Sequence, residues 1–273
     1  MANYFLFDIG GTNTRIALST DGTEVGEAQI FPTPKTFDEG IKLVKEVAEK
    51  TLSQVKIDLV AGGIAGPLNL EKSEMVRSPN LSEWIGKPFK EELQKIFNCP
   101  VYVENDAAMI GLGESISGAA KGFRIVAFMV MGTGVGGARI VDQRIDDNIM
   151  GFEIGHQIIN IDLLMDLEDY IGGRSLEKKY NRKPFDIDEA DEIWDDVARQ
   201  VAAGVNNMIV HWSPDVILLG GSVSRKINLD KVSEYLKQML TIFPESEFPP
   251  IKKTSLGDLG GLYGALHYLN NLK

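Results

Sequence analysis

The chain has 273 residues, 44% of them hydrophobic and 25% charged, with 28 Lys and Arg against 39 Asp and Glu. That length suits one large domain or two ordinary ones, and it buries a core without covalent staples. The net charge of −11 argues against a nucleic-acid or anionic-membrane surface, so an anionic ligand must be met by backbone N–H groups, a metal or a local cation.

Strand and helix signals alternate along the chain. Tyr4–Phe7 and Arg15–Ser19 read as strands around the turn GGTNT. Phe37, Ile41, Val44, Ala48, Leu52 and Val55 mark one face of a helix, and Ile57–Ala61 reads as a buried strand ending in Gly62-Gly63. Pro88 opens a short helix, Val101–Glu104 is a strand, and a helix runs from about Asp106 to Ser115. Ile125–Met131 and Ala138–Val141 then flank the turn GTGVGG. Trp194, Val197, Val201, Val205, Met208 and Trp212 form the clearest helical stripe, which Ser213-Pro214 stops. Val216–Leu219 runs as a strand into Gly220-Gly221, Leu229 to Phe243 marks a helix, and Leu262–Leu272 marks the last. Each half therefore holds a strand–glycine turn–strand early and a helix–strand–Gly-Gly later, with an insertion between about Asp142 and Asp191. The expected class is α/β, two-lobed with a duplicated core.

Cys99 is the single cysteine, which excludes an intramolecular disulfide and a multi-thiolate zinc site and suits a reducing cytoplasm. Met1 to Gly11 carries no targeting signal, and the longest apolar run, Ile125 to Met131, is far below the ~20 residues that span a bilayer. The expectation is a soluble cytoplasmic protein.

GTGVGG matches the dinucleotide pattern G-x-G-x-x-G, but ARIV follows it as a strand, so no helix N-terminus is available for a pyrophosphate. No P-loop pattern exists in the chain. DIGGTNTR (Asp8–Arg15) and GTGVGG instead read as two hairpin turns whose small residues let N–H groups and a Thr hydroxyl face an anion. Together they could clasp a polyphosphate, with Asp8 holding Mg²⁺ through water. Glycines at either turn alone would be explained by positive φ.

VYVENDAAM puts Glu104, Asn105 and Asp106 at a strand-to-helix transition. Asp106 alone could be an N-cap. A catalytic carboxylate needs the same position, and at an ordinary pKa of ~3.9 it is ionised. In phosphoryl transfer the transition state is loose, so orienting the nucleophile matters more than basicity. Glu153 and His156 in FEIGH are followed by Glu168. They read either as a buried imidazole among acids or as a set that hydrogen-bonds vicinal sugar hydroxyls.

These motifs, with SPNLSEW (Ser78–Trp84) and VILLGGSVS, make the chain resemble the ROK family of sugar kinases and repressors, within the actin-like ATPase and sugar-kinase superfamily, across nearly its whole length. The resemblance implies a two-lobed actin-like (ribonuclease H-like) fold with an interlobe cleft, a small lobe of 1–116 plus 256–273 and a large lobe of 117–255. It implies an ATP- and Mg²⁺-dependent transfer to the C6 hydroxyl of a hexose, glucose by default, with Asp106 as general base. Gly66, Asn80, Asn105, Glu153, His156 and Glu168 would line the sugar pocket. Gly10, Gly11, Thr12, Asn13, Thr133 and Gly134 would hold phosphates, and Gly220 and Gly221 would lie against the nucleoside.

One departure stands out. Many members follow E-x-G-H with a zinc-binding cysteine cluster, whereas here the segment reads QIINIDLLMDLEDY. The expectation is no zinc site, and a loop held by packing of Ile158, Ile161, Leu163, Leu164 and Leu167. A kinase for N-acetylmannosamine, N-acetylglucosamine or fructose is the alternative within the class. From another class comes a sugar-sensing regulator, for which the start at Asp8 leaves no helix-turn-helix. The resemblance also implies a possible homodimer, with small-molecule sugar and ATP as the other partners and neither nucleic acid nor membrane.

Overall fold

The computed structural model describes residues 2–52, 55–78 and 80–272, so Pro79 of the SPNLSEW segment lies outside the described residues. The chain divides into two compact units. The first is Met1–Ser117 with Asp147–Gly151 and Leu256–Lys273; the second is Gly118–Asp146 with Phe152–Ser255. The short piece Asp147–Gly151, expected with its sequence neighbours, belongs to the first unit.

The first unit is built from β1 (Tyr4–Ile9), β2 (Asn13–Ser19), β3 (Gln29–Pro32), α1 (Phe37–Leu52), β4 (Leu59–Ile64), α2 (Phe89–Phe97), β5 (Val101–Asn105) and α3 (Asp106–Ser117). Its sheet has the order β3-β2-β1-β4-β5. β2 is antiparallel to both neighbours, while β1, β4 and β5 run parallel. Strand β1, YFLFDI, is buried at every position because it lies at the centre of the sheet, which is why it reads as an apolar run broken only by Asp8. The expected strand at Ile57–Ala61 is displaced toward its glycines. Gly62 and Gly63 lie inside β4, because a Cβ at 62 would stand 2.1 Å from the Phe7 carbonyl oxygen and one at 63 would stand 2.8 Å from Asp106 Cα.

The second unit holds β6 (Ile125–Met131), β7 (Val135–Val141), β8 (Arg144–Ile145), β9 (Ile158–Asn160), β10 (Met165–Asp166), α4 (Leu167–Ile171) and α5 (Gly173–Tyr180). It continues with α6 (Ile193–Trp212), β11 (Val216–Gly220), α7 (Leu229–Met239) and β12 (Ile251–Lys253). Its five-stranded sheet reads β8-β7-β6-β11-β12, with β7 antiparallel to both neighbours and β6, β11 and β12 parallel. Strand order and strand sense repeat those of the first unit, so the duplication legible in the glycine turns is a duplication of the sheet. The last helix, α8 (Gly260–Asn270), belongs to the first unit and packs on α3. Gly264 permits that approach, since a Cβ there would come within 1.8 Å of the Met109 carbonyl oxygen.

The α6 stripe forms the core of the second unit, with Trp194, Val197, Val201, Val205 and Met208 buried. Helix α7 ends at Met239, short of the expected Phe243. Phe243 precedes Pro244, whose ring disfavours helical backbone at the residue before it. Among the described residues no helix is long and apolar enough to cross a membrane.

The loop after FEIGH corrects an expectation. Ile158, Ile161, Leu163 and Leu164 are exposed, and only Leu167 of the predicted packing set is buried. Hydrogen bonds hold this segment instead. β9 and β10 form a small antiparallel ladder, and Leu167 N–H donates to the Gln157 carbonyl at 3.0 Å. Asn207 Nδ2 donates to Gln157 Oε1 at 2.6 Å, and Asp166 closes a capping box with Asp169 at the start of α4.

Candidate functional site

In the first unit the turn between β1 and β2 projects Thr12 into solvent. The turn is closed by Gly10 N–H donating to Asn13 O at 3.0 Å. Thr33, the residue that follows β3, holds it from one side: its hydroxyl donates to the Gly10 carbonyl at 2.7 Å, and its N–H donates to the Thr12 carbonyl at 2.8 Å. Gly11 lies against Asn80, whose side chain a Cβ would approach to 2.8 Å. Asn80 is carried by a segment pinned through Trp84, which is buried and donates its indole N–H to the Pro34 carbonyl at 3.2 Å. Trp84 is therefore an anchor in the core.

Asp8 is 4% exposed. Burial first, and then the charge of Asp106, push its carboxyl up to about 7, against the pull of Arg15. Arg15 Nη1 stands 3.3 Å from Asp8 Oδ2, and its Nη2 reaches Asp258 Oδ1 at 2.5 Å. Gly261, in the first turn of α8, has a Cβ position only 2.7 Å from Asp8 Cγ. No group of three His, Cys, Asp or Glu side chains that could hold a metal exists among the described residues. A carboxyl raised first by burial and then by a second acid is instead a place where a cation arriving on phosphates would relieve the repulsion between Asp8 and Asp106.

The β5–α3 corner presents the END segment. Asn105 takes the capping position that the sequence also allowed for Asp106: its Oδ1 accepts Ala108 N–H at 3.2 Å. The same amide donates from Nδ2 to the Gly66 carbonyl at 3.2 Å. Gly66 has φ +124, and a Cβ there would lie 2.5 Å from the Arg77 carbonyl oxygen. Asp106 occupies the first turn of α3, where the helix dipole favours a carboxylate, and its Oδ1 accepts Ala107 N–H at 2.8 Å. The structure thus brings Asp8, Gly11, Gly66, Asn80, Asn105 and Asp106 into one end of the first unit's sheet.

In the second unit the turn of the antiparallel β6–β7 hairpin is Gly132–Gly134 alone. Val135, Gly136 and Gly137 of GTGVGG already pair with β6, so β7 starts three residues before the expected Ala138, and no helix begins there. Thr133 projects into solvent from its tip, as Thr12 does from the other. The carbonyls of Gly132 and Thr133 accept the N–H groups of Gly173 and Arg174, each at 2.9 Å, at the start of α5. Glu168 on α4 accepts Val135 N–H at 2.6 Å, and a Cβ at Gly134 would stand 2.4 Å from Glu168 Oε2, so a side chain there would push the carboxylate off that N–H. FEIGH crosses the same hairpin: Gly155 fits only without a side chain, its Cβ position being 2.2 Å from the Val135 carbonyl oxygen. Gly220 ends β11, and Gly221 turns with φ +87 directly against the Met131 backbone.

His156 is exposed on that face and is no buried imidazole. Its Nδ1–H donates to Asp166 Oδ2 at 2.7 Å, which raises its pKa and leaves Nε2 for a ligand. Desolvation raises the pKa of Glu153, with Glu168 adding to it and His156 opposing. Glu153, His156 and Glu168 form one electrostatic group. Two partners escaped the sequence reading. Arg15 lies opposite Asp8 in the β1–β2 register, so the hairpin spacing carried that signal. Asp166, ten residues from His156, had no local signal at all.

A ROK family profile matches residues 4–271. The N-acetyl-D-glucosamine kinase of Pectobacterium carotovorum is 26% identical over 98% of this chain and 100% of its own length. The glucokinase of Streptomyces coelicolor is 25% identical over 94% of each chain. The crystal structure of the ROK hexokinase from Thermus thermophilus superimposes with a TM-score of 0.83 at 25% identity, covering 99% of both chains.

Proposed function

The chain belongs to the ROK family, with the kinase activity that membership implies, and we propose that it transfers the γ-phosphoryl group of ATP to the C6 hydroxyl of N-acetyl-D-glucosamine. N-acetyl-D-glucosamine takes precedence over the default expectation of glucose because kinases for that sugar recur among the similar curated sequences. The carrying observation is the acid corner: Asp106 in the first turn of α3, electrostatically coupled to the buried Asp8 beneath an exposed Thr-tipped turn.

Asp106 orients the sugar hydroxyl and takes its proton as the bond to phosphorus forms; the loose transition state makes that orientation the larger part of its task. Gly10, Gly11, Thr12 and Asn13 on one turn, and Thr133 and Gly134 on the other, meet the phosphates through N–H and hydroxyl groups. An acidic chain needs donors of this kind. Mg²⁺, when bound, would neutralise phosphate charge, and Asp8 is the residue that would hold it. In the first unit Asn80, Gly66 and Asn105 are the residues assigned to sugar hydroxyls in this reading. In the second unit, taken by itself, Glu153, His156 and Glu168 carry polar groups suited to the same task. His156 serves through Nε2, and Gly220 and Gly221 lie against the nucleoside.

The test is ³¹P NMR of the protein with ATP, Mg²⁺ and either N-acetyl-D-glucosamine or glucose. The expected result is a 6-phosphate ester appearing with ADP, faster with the acetamido sugar. ADP without a sugar phosphate, or neither, contradicts the proposal.

A further inference from the structure

Glu104 is a buried carboxylate that the chemistry above does not use; it is 5% exposed and immediately precedes Asn105 and Asp106. Both of its oxygens are engaged. Oε1 accepts the N–H of Asn105 at 3.1 Å, which fixes the peptide leading into the corner, and Oε2 is paired with Lys72 Nζ. Lys72 arrives from a different part of the chain, the hairpin between Leu68 and Met75.

That hairpin is stiff. Asn69 N–H donates to the Glu74 carbonyl at 3.0 Å, and Asn69 Oδ1 accepts Ser73 N–H at 2.8 Å. Lys72 itself adopts the left-handed region, φ +49, with its N–H on the Asn69 carbonyl at 2.9 Å. A lysine held at positive φ loses backbone freedom, and the tight turn aims its chain at one partner. The hairpin touches the corner a second time where Asn105 Nδ2 donates to Gly66 O, just before the hairpin begins.

The geometry points to Lys72 as a positioning residue for sugar phosphorylation: through Glu104 it locks the 68–75 hairpin to the β5–α3 corner and so sets Asn105 and Asp106. The inference rests on the function proposed above. A buried carboxylate stripped of its cation pays its desolvation cost unrelieved, and the Asn105 N–H held by its other oxygen is the contact through which the corner would be disturbed. The ion pair and the Asn105–Gly66 bond act on the sugar-facing corner, and neither touches the phosphate turns. The expected signature is therefore selective for the sugar.

The test is steady-state kinetics with amide hydrogen exchange on Lys72→Met, Lys72→Arg and the double variant Lys72→Met/Glu104→Gln, beside wild type. Lys72→Met should raise the sugar KM and lower kcat, each roughly tenfold, with the ATP KM within about twofold. It should also speed exchange at Ala107 and Ala108. Lys72→Arg should restore both. The double variant buries no unpaired charge, so it folds if the single one does not, and it should keep the raised sugar KM because the tie is still missing. Wild-type sugar KM and unchanged exchange in a folded Lys72→Met or double variant would overturn the inference, as would an equal rise in the ATP KM. Exchange is read without turnover, so a wild type inactive on every sugar contradicts the kinase reading while the exchange data still decide whether Lys72 holds the corner.

Discussion

The two hairpin tips, at Gly10–Asn13 and Gly132–Gly134, sit on sheets of the same strand order, yet they are anchored by different means. Side chains of the sheet and its edge hold the first: Asp8 and Arg15 pair across the strands beneath it, and Thr33, just after β3, clamps it. Inserted chain holds the second, with Glu168 on Val135 N–H, the start of α5 on the tip carbonyls, and Gly155 against β7. The repeated sheet supplies a tip with an exposed threonine in both units. What surrounds each tip is specific to its unit, with carboxylates at the base of the first and a carboxylate–imidazole group beside the second.

Substitutions at the two surroundings should break this comparison in different ways. The largest effect belongs to the first unit: Asp106→Asn should lower kcat roughly 10²- to 10⁴-fold with the melting temperature little changed, read by turnover and thermal scans. In the second unit Gly155→Ala forces a Cβ against backbone, so stability should fall by about 1–3 kcal/mol in urea titrations. Gly11→Ala brings a Cβ to 2.8 Å from Asn80 Cβ, a milder clash than the 2.2 Å approach to the Val135 carbonyl oxygen at Gly155, and should cost less stability.

Glu168 sharpens the contrast further. Glu168→Gln keeps an acceptor for Val135 N–H and should raise only the sugar KM. Glu168→Ala should raise the ATP KM as well, roughly tenfold, because the second tip loses its tie.

The smallest effect is at Asp166. Its hydrogen bond raises the pKa of His156, so the pair stabilises the fold fully below the ordinary histidine value and loses that contribution as pH rises through the raised one. Asp166→Asn keeps a capping oxygen but lacks the charge. The His156 titration midpoint, followed by NMR, should fall, and the variant should lose more melting temperature at pH 6 than at pH 9.

The sheet cores were legible because central strands β1 and β6 are apolar runs, interrupted only by Asp8 in β1, and because α6 carries a long stripe at helical period. Edge strand β3 gave no signal: its residues are mostly exposed and set its place only through pairing with β2. The acid corner could be found from END at a strand-to-helix transition, but the division of labour between Asn105 as cap and Asp106 beside it depends on side-chain direction. The loop after FEIGH misled for a related reason. Ile158, Ile161, Leu163, Leu164 and Leu167 look like a packing set, yet hydrogen bonds from Gln157, Asp166 and Asn207 settle the segment and leave four of these five exposed.

The most direct measurement is ADP release by wild type and Asp106→Asn with saturating ATP, Mg²⁺ and N-acetyl-D-glucosamine. We expect sugar-dependent release by the wild type and a kcat lowered roughly 10²- to 10⁴-fold in a variant that still binds the sugar. Near-normal turnover by Asp106→Asn would contradict the assignment of Asp106 as the base.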